Sequence, residues 1–147
     1  MIDKNSTKEE VLAAVKRNGR VLAFEREEFQ GDREIVLEAV KQCGDVLRYA
    51  SEELRRDKDV VMAAVKECRY SLNHASYELR GDRDFMMEVV KQDGLALWGA
   101  SEELRGDRDV VLAAVKQNGR ALEQASFKLQ FEIAACWVNA IEQGLIN

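Results

Sequence analysis

Residues Asp107 to Leu129 read DRDVVLAAVKQNGRALEQASFKL, and versions of this stretch begin at Asp32, Asp57 and Asp82, always 25 residues apart. A worn version begins earlier, at Thr7, in the same register. A period of this size marks small units that cannot bury an apolar face alone and gain a core by stacking on their neighbours. The spacing gives five repeats, about 7–31, 32–56, 57–81, 82–106 and 107–131, followed by a closing segment at about 132–145. All lie within one repeat domain spanning 1–147.

Each repeat predicts two helices. The first opens on the aspartate, whose short carboxylate can accept the orphan amides of the first turn. An acid two residues on (Glu34, Asp59, Asp84, Asp109) suits the positive end of the helix dipole, and Lys41, Lys66, Lys91 and Lys116 suit the negative end. Gly44, Gly94 and Gly119 then offer a left-handed residue to stop the helix, whereas Arg69 in the third repeat predicts a different turn there. The second helix is short. It turns Leu47, Leu72, Leu97 and Leu122 inward with Ala50, Ala75, Ala100 and Ala125, and Ser51, Ser76, Ser101 and Ser126 each cap a further turn. Apolar residues fall at helical spacing throughout, so the expected fold is all-α, an α-solenoid of 25-residue two-helix repeats.

Both ends differ from the interior. Position 10 is Glu where later repeats carry Ile35, Val60, Phe85 and Val110, and position 25 is Glu where they carry the buried alanines. Two carboxylates on the packing surface of the first repeat mark a polar N-terminal cap, and Thr7 with Glu10 spells a capping box. From 132 to 145, Ile133, Trp137, Ala140, Ile141 and Leu145 share one side of a helical wheel, which predicts a helix closing the last repeat. The chain is expected to be a monomer, with a homodimer through this C-terminal helix as the alternative.

The 147 residues carry a net charge of −5, with 22 basic and 27 acidic side chains interspersed. Neither a clustered basic face for nucleic acid nor a basic amphipathic segment for a membrane surface is present, so neither partner is expected. Cys43 and Cys68 occupy equivalent positions, and stacking at ~8–10 Å would hold their backbones too far apart for a disulfide. Three free thiols suit a cytoplasmic setting.

The repeats resemble a tandem family catalogued as a domain of unknown function, with units close to DREVVLAAVKQNGxALxxASxxL. That resemblance covers nearly the whole chain and implies a helical array, with no reaction attached.

No catalytic or cofactor site is expected. Carboxylates recur at caps in every repeat, whereas an acid–base pair should be singular. His74, the one histidine, has no ligand or catalytic partner at recognisable spacing, so no metal is expected. Arg80-Gly81-Asp82 and Arg105-Gly106-Asp107 are best explained as a turn followed by a cap. What varies is the exposed face of the second helix: Arg20, Ala23, Phe24; Asp45, Arg48, Tyr49; Tyr70, Asn73, His74; Leu95, Trp98, Gly99; Arg120, Glu123, Gln124. Aromatic and arginine side chains on a surface that packing does not need are typical of binding hot spots. The expected function is therefore a non-catalytic protein–protein interaction module using Arg48, Tyr49, Tyr70, His74 and Trp98. The alternative is a structural spacer or self-assembling element.

Overall fold

The structure is a computed structural model that describes residues 6–145. Among these residues there is no strand. Five ten-residue helices open the repeats: α1 (Lys8–Arg17), α2 (Arg33–Gln42), α3 (Lys58–Glu67), α4 (Arg83–Gln92) and α5 (Arg108–Gln117). Each is followed by a six-residue 3₁₀ segment, such as Gly44–Tyr49, and then by one short helical turn. The last turn instead extends into α6 (Phe127–Glu142). The chain forms two compact units, one ending at Phe85 and the other beginning at Met86, inside α4.

In the first unit, α2 and α3 are each fixed at the start by an aspartate that does two jobs. Asp32 Oδ1 accepts the amides of Glu34 and Ile35, and its Oδ2 stands 2.8 Å from Lys8 Nζ of the repeat before. Asp57 likewise caps with Oδ1 and receives Arg33 Nε at 2.8 Å on Oδ2, while Asp82 receives Lys58 Nζ at 2.7 Å. Lys8, Arg33 and Lys58 thus form an ionic ladder: the cation of one repeat reaches the cap of the next. Lys8 is pushed up to about 12 by its hydrogen bonds to Asp32 and Glu34. Backbone bonds run beside the ladder, with Ser51 donating to the Gln30 carbonyl and Ser76 to that of Arg55, both at 2.9 Å.

The core of this unit interleaves Val11 and Val15 from α1, Ile35, Val36 and Val40 from α2, and Val60 and Val61 from α3, with Leu22, Leu47 and Leu72 from the 3₁₀ segments. Glu10, at the position of Ile35 and Val60, is exposed and completes the capping box, accepting the Thr7 amide at 2.9 Å. Glu25, at the position of the buried alanines, is half-buried, and that burial pushes its carboxyl up against the pull of Arg26. The polar cap expected of the first repeat is present in both residues.

The second unit repeats the pattern. Asp107 caps α5 through the amides of Asp109 and Val110, and Ser126 donates to the Arg105 carbonyl at 2.8 Å. Val89, Val90, Leu97, Val110, Val111 and Ala114 form its core.

Three expectations are corrected. First, Gly44, Gly94 and Gly119 do not stop helices by left-handed geometry. Among the described residues the one positive φ belongs to Gly144, at 70°, which ends α6 while Leu145 donates back to the Ala140 carbonyl. The long helices end instead on an extended residue, such as Cys43 at φ −154° and ψ 102°. The glycine after it is needed for close approach: a Cβ on Gly19, Gly44 or Gly94 would collide with the carbonyl of Ala39, Ala64 or Ala114 in the following helix. Arg69 consequently leaves its own turn unchanged, since Cys68 is extended and the 3₁₀ segment starts at Arg69 as elsewhere.

Second, the second helix of each repeat is 3₁₀ and not α, so a row absent from the α-helical wheel is buried as well: Val46, Ser71, Ala96 and Ala121. Third, α6 does not close the last repeat. At other boundaries a residue such as Gly31 or Gly106 ends the short turn, and an extended aspartate restarts the chain. Gln130-Phe131-Glu132 supplies neither, so turn and helix fuse. Only Leu129 and Ile133 of α6 are buried, Trp137 and Ile141 stand about half exposed, and nothing comes within 4 Å of a Cβ built on Gly119.

Gly44→Ala should therefore destabilise the chain by ~1–3 kcal/mol in urea unfolding, because the methyl group meets backbone that cannot yield. Gly119→Ala, made in open space, should be neutral within about 0.5 kcal/mol.

Candidate interaction surface

The 3₁₀ segments decide which variable side chains face outward. With three residues per turn, positions 44, 47 and 50 form one buried row and position 46 adds to it, leaving 45, 48 and 49 for the outside. In the first unit the expected stripe faces outward: Arg48 and Tyr49 are exposed, Asp45 half-buried, Tyr70 exposed and His74 half-buried, whereas in the second unit Leu95 and Trp98 are half-buried and Gly99 is buried.

In the first unit the stripe is connected across repeats. Asp45 accepts a hydrogen bond from Arg48 Nη2 and lies 3.1 Å from His74 Nε2, so an arginine, a carboxylate and an imidazole join the second and third repeats. Burial pushes the Asp45 carboxyl up, but Arg48 and His74 outweigh it and hold the group below its ordinary 3.8. The Arg48 guanidinium also stands 5.4 Å from the centre of the Tyr49 ring, a cation–π distance that restrains both side chains.

Between the first and second repeats these residues border a cleft of about 250 Å³. Arg20 and Phe24 stand on one side, and Cys43, Asp45, Arg48 and Tyr49 on the other. Phe24 is 90% exposed, an unusual position for a phenylalanine that the fold does not use. The cleft can hold a small side chain or a turn of peptide between aromatic walls, with guanidinium groups at its rim.

Of the residues expected to bind, Arg48 and Tyr49 line the cleft, and His74 joins them through Asp45. Tyr70 lies on the next 3₁₀ segment, Arg69–His74. Trp98 belongs to the second unit, half-buried on the segment Gly94–Gly99. The expectation that His74 lacks a carboxylate partner is corrected, since Asp45 supplies one from the preceding repeat. The signal was present in the register. Residue 74 is the counterpart of 49, so positions 45 and 49 of successive repeats are neighbours. Arg20, Ala23, Phe24 and Asp45 are the cleft residues that the sequence placed on the stripe without singling out.

Cys43 and Cys68 are half-buried free thiols, and Cys136 is an exposed one. Among the described residues no group of three or more His, Cys, Asp or Glu side chains could hold a metal ion, and no helix is long and apolar enough to cross a membrane. Both Arg-Gly-Asp tripeptides serve as turn and cap, since Asp82 and Asp107 hold the first amides of α4 and α5.

The family described as domain of unknown function (DUF4116) matches residues 7–55, 32–80 and 82–130. The chain belongs to it. Each matched span is two repeats wide, so the family's own unit is a neighbouring pair, the smallest piece in which one repeat covers another. No curated protein and no solved structure matches the chain.

A carboxyl held below its ordinary value stabilises the fold above that value, and the contribution is lost as pH falls through the lower, folded value. Asp45→Asn should thus lower stability at about pH 7 and leave it nearly unchanged at about pH 2, in urea unfolding at both. An equal loss at both pH values would show that the Asp45 charge is unimportant.

Proposed function

We propose that the chain is a non-catalytic protein–protein interaction module, an α-solenoid scaffold whose partner docks across the 3₁₀ stripe. The observation that carries this is the cleft between the first and second repeats, whose walls are the side chains that refuse to repeat while caps, core and close-approach glycines recur around them. The partner contacts are Phe24, Arg48, Tyr49, Tyr70 and His74 in the first unit, and Trp98 is the corresponding candidate in the second. The partner is a protein and not nucleic acid or a membrane, in keeping with the net charge of −5 and the mixing of both signs. The three free thiols favour a cytoplasmic setting.

A second reading, a structural or self-assembling element, is favoured by one observation of its own. Apart from Leu129 and Ile133, the large apolar residues of α6 are left exposed by the rest of the chain.

Phe24→Ala, Tyr49→Ala and Tyr70→Ala combined should leave far-ultraviolet circular dichroism unchanged, because all three rings are exposed. The same variant should reduce capture of its partner from a native extract by more than about tenfold, as expected when hot-spot aromatics are removed. Unchanged recovery of the same prey would exclude the stripe as the docking surface.

A further inference from the structure

Helix α6 buries Leu129 and Ile133 and leaves the opposite face bare. On that face Phe127, Phe131, Ala134, Val138 and Ile141 follow at intervals of four, three, four and three residues. This alternation keeps a row along one side of a helix and is the spacing of a coiled-coil seam. All five are exposed, Phe127 at 89% and Phe131 at 82%, and Leu145 is exposed in the capping turn beyond. The row makes no use of its own chain.

We propose that this row is the seam of a two-fold, antiparallel pairing of α6 with α6 of a second copy of the chain. The register argues for a second copy over an unrelated helix. Antiparallel pairing about an axis level with Cys136 sets Phe131 against Ile141, Ala134 against Val138, and Phe127 against Leu145. Every seam residue then meets another seam residue, and the small alanine faces a branched neighbour.

The flanks agree. On one side of the row stand Lys128, Ala135 and Glu142, so the same pairing brings Lys128 of each chain opposite Glu142 of the other, with the two small Ala135 side chains between them. A parallel pairing would instead set Lys128 level with Lys128. On the other flank Trp137, 49% exposed in the single chain, meets its own equivalent near the axis and gains cover.

Head-to-tail assembly is disfavoured by the first repeat, where Glu10 and Glu25 occupy the packing positions and would be taken out of water. A symmetric contact closes on itself, which gives a dimer and not a filament. At ~1.5 Å per residue the seam of a 16-residue helix is ~24 Å long, short for an obligate dimer, so the dimer should be reversible, in the micromolar range. The seam shares no residue with the cleft and does not depend on the proposed interaction role.

Sedimentation equilibrium of the full chain, from roughly 1 to roughly 200 µM, should show a reversible monomer–dimer equilibrium. Val138→Glu should raise the dimer dissociation constant by more than about 100-fold, since it buries two carboxylates beside the axis. Val138 is exposed in the single chain, so circular dichroism should not change. Asn139→Glu, one residue around the helix, should leave the dimer intact. Lys128→Glu should weaken it by roughly tenfold, and Lys128→Glu with Glu142→Lys should restore it. A monomer at the highest concentration would overturn the proposal, as would a dimer that survives Val138→Glu. A double exchange as weak as the single would overturn the antiparallel register. Partner capture through the stripe should be unaffected by Val138→Glu, which separates the two surfaces.

Discussion

Each repeat leaves a backbone surface that the next one finishes. An alanine carbonyl in the following helix comes so close to Gly19, Gly44 or Gly94 that no side chain fits between them. That approach lets Ile35 and Val60 interleave with the preceding leucines, and it places Asp32 and Asp57 within reach of the previous cation. Apolar burial supplies the driving force, since the exposed ion pairs are individually worth little. The ladder's contribution is register. An aspartate with one oxygen on its own helix and the other on its neighbour's lysine or arginine fixes how far the two repeats slide.

The same logic explains why the ends look as they do. In the first repeat Glu10 and Glu25 replace the apolar residues that later repeats pack against their predecessors. At the other end Phe131 and Glu132 replace the residues that break the chain elsewhere, so the short turn continues into α6. The helix therefore carries its apolar residues past the last repeat, and the space beside Gly119 stays open. One tripeptide thus separates a stacking unit from a projecting helix.

Most of this architecture was legible in the sequence. The aspartate caps, the capping box at Thr7, the polar first repeat and the inward leucines and alanines follow from chemistry that acts within a few residues. What was not legible depended on distance or on competition between similar backbones. A six-residue segment carries too little periodicity to separate 3₁₀ from α, so the buried row at Val46 was missed. The glycines looked like helix stops because that is their commonest role, and only the neighbouring helix reveals a steric one. Asp45 and His74 are 29 residues apart and become partners through stacking alone. On α6 the face read as apolar ran through Ile133, Trp137, Ala140, Ile141 and Leu145, and the more exposed row of Phe127, Phe131 and Val138 was not singled out. A 3-4 spacing is equally the mark of a surface waiting for another helix.

Scaffold and candidate surface are separable here: the recurring residues hold the repeats together, and the residues that vary line the cleft. The dependence of each repeat on its predecessor is most directly tested by native-state hydrogen exchange at the Ser51 and Ser76 amides, whose acceptors lie in the repeat before. If neighbouring repeats form one cooperative structure, these two amides should be protected to the same free energy as the middle of α2 and α3. Exchange at the rate of an open chain, with α2 and α3 still protected, would show that the repeats fold separately and would contradict the account.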